Sequence, residues 1–267
     1  METLGVIGNI SRDQATYPDG RCIDLLGGAA LHVALAAARA GLPTAPIAVI
    51  GRDLSWIGHD TRLGGVDLSC VEVTSGESCS FQLSYDSRGQ VIGTQSSFGA
   101  AALLTDHALE VLGQHRVYHV CCRRPLDVPA VLNRLVITRT PFSVDFHLAS
   151  ASGIMSAAEA LLPHASIVFV NAAEFTTLST ITDPGRLKAV VISNGPRPVS
   201  LLRLGQVKAT VLPPVAEAIE VTGAGDTLAG AFLGAASCGH DDHTALRLAV
   251  VAAAAAVGGP GLVIAPR

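Results

Sequence analysis

The segment Val221-Thr222-Gly223-Ala224-Gly225-Asp226-Thr227 places one carboxylate inside a turn of small residues, directly ahead of the apolar run Leu228 to Leu233. Glycines at 223 and 225 let the backbone turn tightly and leave amide N–H groups without helical partners. The start of a helix adds partial positive charge at the same point, which suits a phosphate. An acid beside a phosphate cradle is the pairing that phosphorylation of a hydroxyl needs. The acid serves as base for the acceptor, and the amides serve as donors for the phosphoryl group in transit. Asp226 also has a plainer reading as a helix N-cap, which the segment alone does not exclude.

A second pair, Asn171 and Glu174 in Phe169-Val170-Asn171-Ala172-Ala173-Glu174, lies just past an apolar strand-like run. Its spacing is that of a helix start, with Asn as cap and Glu at the third position. The same place, beyond the carboxyl end of a strand, is where α/β sheets hold ligands. His240-Asp241-Asp242-His243 offers metal-ligating types, but adjacent side chains diverge, and it reads as a solvated loop between alanine-rich helices. His115 and His119 are four apart in a stretch that reads partly as strand, so they need not share a face. The chain has no Gly-x-Ser-x-Gly elbow and no Gly-x-x-x-x-Gly-Lys loop. Lysine occurs only at 188 and 208, so phosphate binding must rest on backbone amides and arginine; Arg197, shortly after Ser193-Asn194-Gly195, is one candidate.

These groups need a scaffold, and 267 residues with 49 % hydrophobic and 15 % charged content can bury a sizeable core. Leu4 to Gly8 reads as a buried strand and Ala29 to Ala40 as an alanine-rich helix opened by Gly27-Gly28 and stopped at Gly41. Pro46 to Gly51 is the next strand, with a short helix within Trp56 to Leu63. After residue 116 the alternation resumes with strands at Val117–Val120, Phe142–Asp145, Ile167–Val170 and Ala189–Ser193. Helices are expected from about Val128, around Ser156 to Leu162 and near Pro184 to Leu187, followed by a late hairpin over Leu201–Val207. This alternation predicts a parallel, doubly wound sheet. Residues 68–95 break it: Cys70–Val73, Cys79–Tyr85 and Val91–Thr94 alternate apolar and polar residues around an Asp86-to-Gln90 turn. That is a hairpin, either an extra edge to the sheet or a lid over a cleft.

The net charge of −4 with no basic run argues against nucleic acid as a partner. The longest apolar run, Leu248 to Val257, is too short and too alanine-rich to span a bilayer, so no membrane is expected. Met1 to Gly5 lacks the basic start of a signal peptide, which points to the cytoplasm. Cysteines at 22, 70, 79, 121, 122 and 238 show no Cys-x-x-Cys spacing and read as reduced, partly buried small hydrophobes.

Taken in order, four segments resemble the ribokinase (phosphofructokinase-B, or PfkB) family of carbohydrate kinases, and they span nearly the whole chain. They are Gly27-Gly28-Ala29-Ala30 with Ala34, Gly41 and Ile50-Gly51-Arg52-Asp53; Asn171-x-x-Glu174; Ser193-Asn194-Gly195; and Thr222-Gly223-Ala224-Gly225-Asp226-Thr227 with Gly230-Ala231-Phe232. The resemblance implies a ribokinase-like three-layer α/β/α sandwich with a mostly parallel central sheet and a small β-sheet lid. It further implies one kinase domain over residues 1–267, with lid elements at about 10–22 and 68–98. By similarity Asp226 is the general base, and the amides of Gly223, Ala224 and Gly225 form the anion hole. Asn171 and Glu174 would organise Mg²⁺ and the ATP phosphates through waters, with Ser193, Gly195 and Thr222 also on the nucleotide side. Asp13, Gly27, Gly28 and His32 would face the substrate, Asp13 holding hydroxyls and the two glycines letting a sugar approach the backbone.

Three departures bear on the subfamily. His32 stands where the family usually has Asn, Glu220 stands where it usually has Asp, and Asp145-Phe146-His147 replaces Asp-x-Asn. Glu220 leaves a monovalent-cation site undecided, and His32 points away from ribose or fructose. The expected activity is ATP-dependent phosphorylation of a sugar or cyclitol hydroxyl, with a nucleoside kinase as the alternative if Phe81 or Phe98 offers a stacking surface for a base. A relative that binds a ligand without turnover is the third reading, against which stand Asp226, Gly223 and Gly225. The sticky face of the lid would suit a homodimer.

Overall fold

The computed structural model describes residues 2–264. Strand β1 (Leu4–Ile7) leads into the hairpin β2 (Ser11–Thr16) and β3 (Cys22–Gly27), then helix α1 (Ala29–Arg39) and strand β4 (Thr44–Ile50). Two 3-10 turns, Arg52–His59 and Thr61–Leu63, precede β5 (Val71–Val73), β6 (Cys79–Tyr85) and β7 (Val91–Ser97). Next come α2 (Leu104–Val111), β8 (Val117–Cys122), α3 (Val128–Ile137), β9 (Phe142–Phe146), α4 (Leu148–Ala158), β10 (Val168–Asn171) and α5 (Ala172–Ile181). The chain continues through β11 (Val190–Asn194), β12 (Arg197–Arg203), β13 (Gln206–Val211), α6 (Ala224–Ser237), α7 (Asp242–Ala256) and β14 (Leu262–Val263).

The central sheet runs β13-β12-β11-β10-β9-β8-β1-β4-β5, parallel from β11 to β5, with β12 and β13 antiparallel at one edge. Its inner strands are buried on both faces, which is why β1 and β4 read as near-continuous apolar runs, while β8 and β9 bury His119, Ser143 and Asp145 among their apolar residues. One face packs α2 to α5 around Leu132, Val144, Met155 and Leu178. The other carries α1, α6 and α7 around Val33, Phe169, Phe232 and Leu246. Gly230 and Gly234 bring α6 against α1: a Cβ on Gly230 would lie 2.2 Å from the Val33 carbonyl oxygen. This is a three-layer ribokinase-like α/β/α arrangement. Among the described residues no helix is long and apolar enough to cross a membrane.

A second sheet, β14-β3-β2-β6-β7, stands over one end of the first. Its own small core is Ala15, Tyr17, Leu25, Leu83 and Tyr85, with the two tyrosine rings stacked at 5.6 Å. The lid differs from expectation at both bounds. Its first hairpin extends to Gly27, and residues 68–78 lie outside it, because Val71–Val73 pairs in parallel with β4 at the edge of the main sheet. Three residues of alternation carry too little pattern to tell these two destinations apart.

Two helices depart further. Helix α4 starts at Leu148 rather than near Ser156, because Ala151, Met155 and Ala158 form a buried stripe that outweighs the Ser- and Gly-containing composition. Helix α5 begins at the Asn171–Glu174 helix start read from the sequence, but its body was not anticipated: its Thr- and Ser-rich sequence is a poor helix former, held by the capping box and by buried Leu178. Only a 3-10 turn, Pro184–Arg186, stands near Pro184–Leu187. At His240–His243 the loop reading holds only for His240 and Asp241: Asp241 caps α7 by accepting the Thr244 N–H, while Asp242 and His243 open the helix, Asp242 pairing with Arg203.

Candidate active site

The carboxyl ends of β1, β8, β9, β10 and β11 open on a cleft of about 1080 Å³ that the lid covers. Asn9, Arg123, Asp145, Asn171 and Ser193 enter it from these strand ends, where open α/β sheets hold ligands. Helix α6 begins at the same place. Gly223 precedes it in a left-handed conformation (φ +79°), and no side chain caps the helix. The N-cap reading of Asp226 therefore fails: Asp226 is the third helical residue, and its carboxylate turns inward.

The turn's amides are not equivalent. The Ala224 N–H donates weakly to the Val221 carbonyl at 3.3 Å, while the Gly223 and Gly225 amides have no backbone acceptor among the described residues. Of the three amides expected to face an anion, those of Gly223 and Gly225 are thus without a backbone acceptor among the described residues, and that of Ala224 is partly engaged. A Cβ on Gly223 would sit 3.0 Å from the His32 ring, so the imidazole packs flat against the turn. Burial lowers the His32 pKa, leaving the ring neutral at pH 7.

Asp226 Oδ1 accepts from Arg123 Nη2 at 2.9 Å, and the same nitrogen reaches Asp145 Oδ2 at 2.5 Å. Burial alone would raise Asp226, but the charge of Arg123, together with hydrogen bonds from Asp145 and Arg123, outweighs it and holds the carboxyl below its ordinary value. Asp145 goes the other way: burial dominates and pushes it well above the usual carboxylate range. Behind Asp145 lies His119, fully buried and driven down to about 3, with Nδ1 2.8 Å from Ser143 Oγ and Nε2 3.8 Å from Asp145 Oδ1. Arg123 is the functional candidate that sequence reasoning missed. A buried apolar strand ending in Arg123-Arg124-Pro125 was its only trace.

On the lid side Asp13 is buried and lines the cleft with Asn9 and Ser11. Asn9 Oδ1, Ser11 Oγ and Asp13 Oδ1 are all buried without a hydrogen-bond partner. Three unpartnered acceptors on one wall are the groups a polyol's hydroxyls would satisfy. The two glycines leave room for this wall. A Cβ on Gly27 would lie 2.2 Å from Asp13 Oδ2, and one on Gly28 (φ +104°) would lie 2.4 Å from the Asn9 carbonyl oxygen. A side chain at either would strike the protein's own Asp13 or Asn9; Gly28 lines the cleft, and Gly27 is not among its lining residues.

Asn171 and Glu174 form the capping box. Asn171 Oδ1 accepts from the Ala173 and Glu174 amides, and Glu174 Oε2 accepts from the Asn171 N–H at 2.8 Å. Both still line the cleft, and the cap leaves Glu174 Oε1 unused by it. Ser193 lines the cleft as well, whereas Gly195 (φ +56°) sits on the exposed turn outside it, and Arg197, exposed at the start of β12, is not among the lining residues either. Thr222 lines the cleft but is tied to the lid, its Oγ1 2.6 Å from the Tyr85 hydroxyl. Beside it the Tyr17 hydroxyl donates to Glu220 at 3.0 Å, and the Val221 N–H donates to the Gly89 carbonyl at 3.2 Å. The lid tips are therefore hydrogen-bonded to the turn that starts α6. The lid also brings Phe81, Leu83, Val91 and Phe98 into the cleft.

An acid at a helix start, free amides beside it and a polyol wall opposite, all at the strand ends of a three-layer sandwich, define a small-molecule kinase. Residues 25–266 match the pfkB family carbohydrate kinase model, and the chain belongs to that family. It is an ATP-dependent kinase that phosphorylates a sugar-like small molecule. A cytidine kinase of Thermococcus kodakarensis is 28 % identical, the match covering 93 % of each chain. The Burkholderia thailandensis nucleoside kinase in complex with inosine superposes with a TM-score of 0.84 at 20 % identity, over 97 % of this chain and 92 % of that one. A putative ribokinase II from E. coli in complex with ATP and Mg²⁺ gives 0.80 at 21 % identity, over 98 % and 94 %.

Proposed function

We propose that this kinase phosphorylates a hydroxyl of a ribonucleoside, with Mg-ATP as donor and Asp226 as general base. The observation that carries the substrate class is the lid wall. Phe81 and Phe98 face the cleft together with Leu83 and Val91, an apolar surface that a free sugar would leave unsatisfied and a base would cover. The similarity to a cytidine kinase and to a nucleoside kinase holding inosine supports the same reading. Asn9, Ser11 and Asp13 would hold the sugar hydroxyls, with His32 between them and Asp226.

Asp226 would take the proton of the attacking hydroxyl, and the Gly223 and Gly225 amides would face the charge developing on the phosphoryl group. Glu174 fits a hydrated divalent cation, because one hard carboxylate oxygen remains outside the capping box and lines the nucleotide half of the cleft. Bound there, Mg²⁺ would neutralise phosphate charge; Asn171 would hold Glu174 in place through the cap. Ser193 and Thr222 would complete the nucleotide wall. The test is ADP release with Mg-ATP against nucleosides, free sugars and cyclitols. Turnover on nucleosides is expected, and turnover confined to free sugars would overturn the substrate class.

The acceptor wall carries its own pH signature. Burial pushes the Asp13 pKa up to about 7, so the empty site protonates as pH falls through neutrality. Acceptor KM should therefore rise below pH 7, and the rise should vanish in Asp13→Asn, whose KM is high throughout. Stability gives the sign independently. Because folding raises this carboxyl's pKa, the folded state binds the extra proton between pH 4 and 7, and stability falls with rising pH over that window. Asp13→Asn should raise the Tm of the ligand-free protein most at pH 8, less at pH 5, and leave it nearly unchanged below pH 4. Equal shifts at pH 8 and below pH 4 would count against a protonated Asp13.

A further inference from the structure

Arg123 stands out as a buried cation shared by two carboxylates, one of which is the proposed base. Its Nη2 contacts both Asp226 Oδ1 and Asp145 Oδ2, and its Nε is buried without a partner. It leaves β8 at the floor of the cleft, between β9, which supplies Asp145, and α6, which supplies Asp226. Arg123 Nη2 is the cation that holds the Asp226 carboxylate, with the neighbouring Asp145 carboxyl hydrogen-bonded to it as well.

We propose that Arg123, anchored from behind by Asp145, is the positioning residue for Asp226, holding on one guanidinium nitrogen the carboxylate that receives the acceptor's proton. This inference rests on the kinase reading above. In the step, the acceptor O–H bond breaks as its oxygen bonds the γ-phosphorus and the bond to ADP breaks. The proton passes to Asp226, whose neutral carboxyl then loosens its hold on Arg123, while Asp145 Oδ2 still accepts from Arg123 Nη2. On product release the proton goes to solvent, and the pair reforms.

Other charges facing Asp226 reinforce or oppose this hold. His32 approaches from α1, where burial keeps it neutral. His119 from β8 is neutral for the same reason, and burial also lowers His147 at the end of β9. Asp145 is pushed up by burial, and Glu174 on α5 is raised by burial as well. Cys121 is held far above its usual range. Among the described residues Arg123 is thus the one cation paired with Asp226. Without it, burial governs the carboxylate.

The test compares wild type, Arg123→Met, Arg123→Lys and Asp145→Asn by two readouts. One is NMR titration of the protein labelled at aspartate side-chain carboxyl carbons, the Asp226 signal being assigned by its loss in Asp226→Asn. The other is the pH profile of kcat/KM. In Arg123→Met the Asp226 titration and the acid limb should both move up by roughly one to three pH units, the span an adjacent opposite charge commands. Asp145→Asn, which keeps an acceptor for Arg123, should leave the acid limb near its wild-type position. Arg123→Lys keeps a cation in place and carries the test if the Met variant does not fold: its acid limb should stay while kcat falls, since a single ammonium lacks the planar fork. An unmoved Asp226 titration in folded Arg123→Met, or wild-type kcat in Arg123→Lys, would overturn the proposal. If wild type itself turns over no acceptor, the kinase reading fails, and the NMR titration alone decides whether Arg123 governs Asp226.

Discussion

Asp226→Asn should lower turnover by about 10²-fold or more while leaving nucleotide affinity at or above that of wild type. The substitution keeps the shape of the side chain and removes its capacity to accept a proton. Gly223 and Gly225 present backbone amides, which do not depend on the carboxylate. Removing an anion next to a phosphate site also removes a repulsion, so nucleotide binding gains if it changes at all. Arg123 retains Asp145 as partner, which keeps its buried charge paired. The measurements are ADP release at saturating acceptor and calorimetric titration with nucleotide. Turnover equal to wild type would remove Asp226 from the role of base.

Gly28→Ala should cost about 3 kcal/mol or more in stability and reduce activity in whatever fraction remains folded. Gly28 has φ +104° and ψ 142°, a region that side chains rarely enter. A Cβ there would meet the Asn9 carbonyl oxygen at 2.4 Å and Ile10 Cα at 2.6 Å, both backbone atoms that cannot rotate away. Relief requires moving the segment from β1 to β2, which carries Asn9, Ser11 and Asp13. Gly153→Ala is the matched control, since Gly153 lies within α4 with open space about it. It should be neutral or stabilising by roughly 0.5–1 kcal/mol. Chemical denaturation of both variants checks the contrast, and equal stabilities would refute the steric account.

What could be read from the chain divides by the range of the interaction. The turn at 222–227 and the Asn171–Glu174 box are local chemistry: a few adjacent residue types determine backbone, cap and exposed donors, so the structure returns them nearly as read. The buried runs of the central strands were legible because parallel strands leave no polar face. Arg123 was not, since its meaning arises only where β8, β9 and α6 converge, across a separation of 103 positions from Asp226. Val71–Val73 was misplaced for a related reason, its partner being chosen by the edge of β4 and not by its own pattern. The roles of Gly27 and Gly28 needed the neighbouring strand to be seen. A glycine's sequence context shows that room is required and not what fills it.

The seam between the lid tips and the start of α6 has a thermodynamic meaning. Tyr17 to Glu220, Tyr85 to Thr222 and Val221 to Gly89 join the cover of the acceptor wall to the turn that offers amides to the nucleotide. Two binding events that order one seam share its entropic cost, and whichever comes first lowers it for the second. Reciprocity then fixes the symmetry: the factor by which acceptor tightens nucleotide equals the factor by which nucleotide tightens acceptor. A substrate too small to touch the lid forfeits that factor on both sides. Discrimination among acceptors would then be exercised partly through the affinity for ATP.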